Sequence, residues 1–129
     1  MQPIPFKMKG TEYAITIKVA TYSEGNLAIK LYQENFGQLI FWDTLTTNLG
    51  GLRPKDCGFV NTKTTGKRFY AWIKRNGLGE PTGQIRSESG VEHVEYLFNG
   101  KKLKKLDPDG YTYYSRRLKG ELGRQYERL

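Results

Sequence analysis

The chain of 129 residues carries 21 lysines and arginines against 13 aspartates and glutamates, a formal charge of +8 at neutral pH. Its length supports one domain with a modest core rather than two, and a hydrophobic content of 37% separates it from disordered sequences. One cysteine, Cys57, and one histidine, His93, exclude an internal disulfide, a cysteine-based zinc site and a two-histidine metal motif, and argue against a Ser-His-Asp arrangement. No apolar run approaches the roughly 20 residues that span a bilayer. The start, Met1–Gly10, lacks the apolar stretch of a signal peptide, so a cytoplasmic protein without a cofactor is expected.

In chain order, residues 12–22 alternate. Tyr13, Ile15, Ile17 and Val19 share one side and Thr16 and Lys18 the other, which predicts a strand with one buried face. Ser23-Glu24-Gly25-Asn26 supplies a turn. Leu27, Ile29 and Leu31 then mark the second arm of a hairpin. Asn35-Phe36-Gly37 turns the chain into a third strand over residues 38–48, which contains Phe41 and Trp42. Residues 49–58, with three glycines and Pro54, read as a loop, and Phe59-Val60 as a short apolar patch. Over residues 67–77, Phe69, Trp72 and Ile73 fall at i, i+3 and i+4. This predicts a helix packed on the sheet, with Thr64 or Thr65 as its cap and Asn76-Gly77 as a left-handed stop.

Residues 78–83 read as a turn-rich connector, and residues 91–98 as a further strand of imperfect alternation. Lys101–Leu106 predicts a short helical turn carrying Leu103 and Leu106, and Asp107-Pro108-Asp109-Gly110 a turn. The tail is ambiguous. Leu118, Leu122 and Tyr126 recur at helical spacing, yet Gly120 and Gly123 each cost a helix about 1 kcal/mol relative to alanine. The fold class that follows is α+β: an antiparallel sheet, made of a three-stranded N-terminal meander plus a later strand, packed by one helix. The domain is expected to occupy residues 1–106, with residues 107–129 a basic C-terminal extension, helical in part.

The charge is unevenly spread. Residues 100–129 hold nine cations, Lys101, Lys102, Lys104, Lys105, Arg116, Arg117, Lys119, Arg124 and Arg128, against four acids, so they carry +5 of the total. Such a segment attracts phosphates or acidic protein surfaces. Tyr111, Tyr113 and Tyr114 lie beside these cations. Tyrosine rings stack on exposed bases and guanidiniums bind phosphate, so Tyr113 and Tyr114 join the basic residues as candidate contacts. The same pattern fits a protein interface, where Tyr and Arg are enriched, or a core strand face carrying Tyr111 and Tyr113. Binding to a membrane surface is disfavoured, because no long apolar face accompanies the charges.

Catalytic signatures are weak. The glycine-rich stretch Gly77–Gly83 follows a predicted helix instead of preceding one, and it lacks Lys-Ser or Lys-Thr, so it reads as a turn and not as a phosphate loop. His93 lies among acids in sequence, but on a strand Glu92 would point to the opposite face. Cys57 adjoins Asp56, which works against a lowered thiol pKa. No catalytic or metal-binding residue is assigned.

Gly25-Asn26-Leu27-Ala28-Ile29, Leu45–Leu49, Phe59-Val60-Asn61-Thr62 and Gly77–Gly83 together resemble a domain-of-unknown-function family of short bacterial proteins carried by conjugative elements and prophages. The resemblance covers about residues 10–99, implies no catalytic residues, and leaves the stretch from Asp107 onward as a departure. It implies a mobile-element accessory protein, and specifically a counter-defence inhibitor of the anti-CRISPR type. The expected partner is a CRISPR effector protein, its guide RNA or its target DNA, engaged through the basic residues. At +8 the chain cannot mimic DNA by charge. The alternative is a stand-alone nucleic-acid-binding module of low sequence specificity.

Overall fold

Alternating residues near the N-terminus build the first of two antiparallel sheets. The computed structural model describes residues 3–63 and 67–127, with side chains as far as Arg124. The first sheet has the order β1-β2-β3-β4, from Ile4–Met8, Thr11–Thr21, Leu27–Asn35 and Gln38–Thr44. The second has the order β5-β6-β8-β7, from Thr46–Thr47 (β5), Cys57–Val60 (β6), Gly79–Glu88 (β7) and Val91–Phe98 (β8). Three helices complete the fold: α1 (Arg68–Arg75), α2 (Gly100–Leu106) and α3 (Pro108–Glu127). The class is α+β, as the sequence implies.

The predicted faces are the buried ones. Ile15, Ile17, Val19, Leu27, Ile29 and Leu31 line the core beneath the first sheet, and Phe69, Trp72 and Ile73 of α1 pack into it. The α1 stop is also as expected: Gly77 takes a left-handed φ of 61°, and the Leu78 amide bonds the Ile73 carbonyl at 2.9 Å. The proposed caps Thr64 and Thr65 lie outside the described residues.

Other elements differ from the sequence reading. The meander has four strands, because Ile4–Met8 adds an edge strand. Its Pro5 is tolerated because an edge strand needs no ladder bond on its outer side. Phe6 then meets the rings of Trp42, Trp72 and Phe69 edge-on at 5.3–5.5 Å. The segment expected to be a connector is instead the start of β7, an edge strand with an irregularity between Pro81 and Ile85. The strand expected over residues 38–48 breaks at Leu45, where the chain passes from one sheet to the other. There the Thr46 hydroxyl accepts the Ile29 amide at 3.1 Å in place of a ladder carbonyl.

The largest difference lies near the C-terminus. Asp107–Gly110 is not a free turn but the opening of α3: Pro108 stands at the first helical position, and the Asp107 carboxylate accepts the Gly110 amide at 3.3 Å. Tyr111, Tyr114 and Leu118, at i, i+3 and i+7, are buried in the same core as the sheets. Residues 107–118 are therefore integral to the body, not an appendage. β1 pairs β2 only over Thr11–Ile15, and beyond it the second Asp107 oxygen takes the Val19 amide at 2.9 Å.

Candidate anionic-partner interface

Helix α2 begins at Asn99, whose side chain accepts the Lys102 amide at 3.2 Å. The predicted contacts Lys101, Lys104 and Lys105 all project from it into solvent. Lys102 does not: half-buried, it donates to the Asn76 carbonyl at the end of α1, where a cation suits the helix dipole.

Helix α3 sorts its residues by face. Tyr113 (62% exposed), Arg116 and Lys119 lie on the solvent side. Tyr114 does not belong to the candidate set, because it is 1% exposed and has no ring face to offer a base. Its hydroxyl accepts the Asp56 amide at 2.9 Å, and the neighbouring Tyr111 hydroxyl donates to the Asp56 carboxylate at 2.8 Å. Burial, with the Asp56 carboxylate adding to it, pushes the Tyr111 phenol up to about 12, and burial raises Tyr114 as well. Arg117 holds the scaffold: it donates to the Ser23 carbonyl at 2.5 Å and stands 3.6 Å from Glu121. Arg124 is also paired with Glu121. Arg128 lies outside the described residues.

Five of the candidate cations are thus exposed and, among the described residues, without an acidic partner: Lys101, Lys104, Lys105, Arg116 and Lys119. Arg116 and Lys119 edge a cleft of about 390 Å³ that Ser115, the buried Leu118 and the half-exposed Leu122 also line. Its third cation is Lys55, which the sequence reading missed. Lys55 sits in the stretch read as a loop; it lines the cleft, and its ammonium also lies 5.8 Å from the centre of the Tyr111 ring. Nothing in the linear spacing of Lys55 and Arg116 announces that meeting. The arrangement suits an anionic ligand with an apolar portion.

The buried polar residues elsewhere act on structure. Arg53 grips Glu95 with two bonds, at 2.6 and 3.0 Å, and Thr82 donates to the same carboxylate at 2.8 Å. Burial alone would raise the Glu95 carboxyl. The hydrogen bonds from Arg53 and Thr82 and the charges of Arg53 and Arg86 outweigh it, and hold the group below its ordinary value. Both guanidiniums also lie over the Phe59 ring, at 5.7 and 5.0 Å. The space beside Arg53, Cys57 and Phe59 is about 10 Å³, room for at most one water. Cys57 is buried there, and burial pushes its thiol up, away from the reactive form. His93 is fully buried, with Nδ1 3.0 Å from the Val60 carbonyl. Among the described residues no cluster of three metal-ligating side chains forms, and no helix is long and apolar enough to cross a membrane.

A family model described as a domain of unknown function, DUF4313, matches residues 16–118. The match covers most of the chain, which belongs to that family. It also corrects the expected limit: the family pattern does not end near residue 99 but runs through α2 and the buried half of α3, taking in Arg116. Neither a curated protein nor a solved structure matches the chain at a significant level.

Proposed function

Starting from membership of the DUF4313 family, we propose that the protein works by binding, as a mobile-element accessory factor in counter-defence of the anti-CRISPR type. It would engage the guide RNA or target DNA of a CRISPR effector complex, in the cytoplasm. The observation that carries this reading is the cleft on α3, where Lys55, Arg116 and Lys119 surround an apolar floor with the Lys101–Lys105 cations one helix away in sequence. The sign of the charge supports a nucleic-acid target over a cationic groove, since a chain of +8 gains from neutralising phosphates. The test is co-purification with nuclease–guide complexes, followed by a target-cleavage assay. Association that slows cleavage, and that is lost on Arg116→Glu with Lys119→Glu, supports the reading. No association across several effector types overturns it.

Tyr113, exposed one helical turn before Arg116, favours a second reading, a stand-alone nucleic-acid module in which ring and guanidinium act on one nucleotide. That reading requires affinity for free nucleic acid that falls steeply with salt. Binding to an effector without any affinity for free RNA or DNA eliminates it.

A further inference from the structure

The solvent face of the first sheet is built unlike an ordinary polar surface. In the β2–β3 register Lys18 stands directly opposite Lys30, and Thr16 opposite Tyr32; across β3–β4, Tyr32 stands opposite Phe41 and Glu34 opposite Leu39. Like charges directly opposed on a sheet destabilise it, and among the described residues neither lysine has an acidic partner. The rings of Tyr32 and Phe41 meet edge to face at 5.7 Å, and Phe41 keeps 56% of its surface in water.

The end of the same hairpin carries a second anomaly. Phe36 occupies the first position of its two-residue turn at a φ of 50° and is 99% exposed. That left-handed position suits Asn, Asp or Gly, and a bulky side chain there is an outlier. An aromatic ring placed at a conformational cost, with no packing in return, points to a contact outside the chain.

We propose that this open face binds single-stranded nucleic acid: Phe36, Tyr32 and Phe41 stack on unpaired bases while Lys18 and Lys30 hold the phosphates. The proposal rests on the reading that the partner contains nucleic acid, and it names a site separate from the cations of α2 and α3. The chemistry selects the occupant. Aromatic rings on a sheet face reach bases only where those bases are unpaired. A second copy is disfavoured, because it would bring another Lys18–Lys30 pair against this one and add a further +8. Glu34, the next outward residue on this face of β3, bounds the cationic zone, and Lys7 opposite Glu12 is neutral at the far side.

The test uses the full chain and labelled 15-nucleotide oligo-dT and oligo-rU, alongside a 15-base-pair duplex, read by fluorescence anisotropy. Phe36→Ala and Phe41→Ala are each expected to weaken single-strand binding about ten-fold. Lys30→Glu should do the same and reduce the salt slope by about one ion. Duplex binding should be unmoved by these three variants, whose side chains lie outside the core and whose melting should match the parent chain. Unchanged single-strand affinity in Phe41→Ala and Lys30→Glu overturns the sheet site while leaving the nucleic-acid reading standing. Absence of binding to every oligonucleotide by the parent chain overturns the sheet site and the stand-alone nucleic-acid module together, while the effector-complex reading stands or falls by its cleavage assay. Equal losses for single strand and duplex, or a dimer that dissociates on Phe36→Ala without any change in nucleic-acid affinity, also overturn the proposal.

Discussion

Asp107 accepts the backbone amide of Val19 at 2.9 Å, joining residues 88 positions apart in the chain. One carboxylate oxygen replaces the strand that β2 lacks past its pairing with β1, and the other accepts the Gly110 amide at the start of α3. Asp107→Ala removes both acceptors and leaves a buried amide unpaired. A loss of about 2–4 kcal/mol is expected from the helix cap and the orphaned donor together. Asp107→Asn, which keeps an acceptor oxygen, should lose less. Urea unfolding of the three chains measures the order.

Two glycines of α3 are expected to respond to alanine with opposite sign. A Cβ on Gly110 would strike the Val19 carbonyl and the Asp107 carboxylate, so Gly110→Ala should destabilise the protein despite the better helix propensity. Gly120 has nothing within 4 Å of that position, and Gly120→Ala should stabilise by about 0.5–1 kcal/mol. Thermal melting of both variants reads the two signs directly.

Tyr113 and Tyr114 are neighbours in sequence with separable roles. Tyr114→Phe loses the acceptor of the Asp56 amide and should cost about 1–2 kcal/mol of stability with partner affinity unchanged. Tyr113→Ala removes an exposed ring and should leave stability within about 0.5 kcal/mol. If Tyr113 contacts the partner, only that second variant weakens the complex. Denaturation and binding titrations on the same preparations separate the effects.

Glu95 sets part of the acid response. Its folded pKa lies below the ordinary 4.5, so the folded state favours its charged form. Its contribution is fully present above the unfolded value and is lost as pH falls from about 4.5 through the depressed folded value. Asp56 works the other way: burial first, against the hydrogen bond from Tyr111, raises its carboxyl. The difference between the parent chain and Glu95→Gln isolates the Glu95 part. That difference in urea midpoint should be largest near neutrality and shrink as the pH drops below 4.5.

What the linear pattern revealed was whatever depends on near neighbours. Alternation around Ile15 and Ile29 and the i, i+3, i+4 spacing of Phe69, Trp72 and Ile73 place the meander and α1 correctly, because each element buries one face. The β7–β8 hairpin turns on Ser89-Gly90, with φ values of 50° and 79°, the same two-residue geometry as Lys9-Gly10 and Phe36-Gly37. The expectation of a turn-rich connector over residues 78–83 does not use that signal. The turn expected at Asp107-Pro108-Asp109-Gly110 is a helix start instead, since the same residues open turns and helices and only the β2 edge decides between them. Lys55 joining Arg116, and Tyr114 turning inward beneath Asp56, depend on tertiary packing that no local spacing encodes.

The Asp107–Val19 bond also dictates a chronology for the nascent chain. By the time β2 and its hairpin partners are complete, the helix that seals the β2 margin has yet to be translated, and raw strand amides stand ready to template another polypeptide. A version of the protein ended ahead of Asp107 would leave that margin open, the kind of strand edge that favours self-association, and would lose Tyr111, Tyr114 and Leu118 from the core.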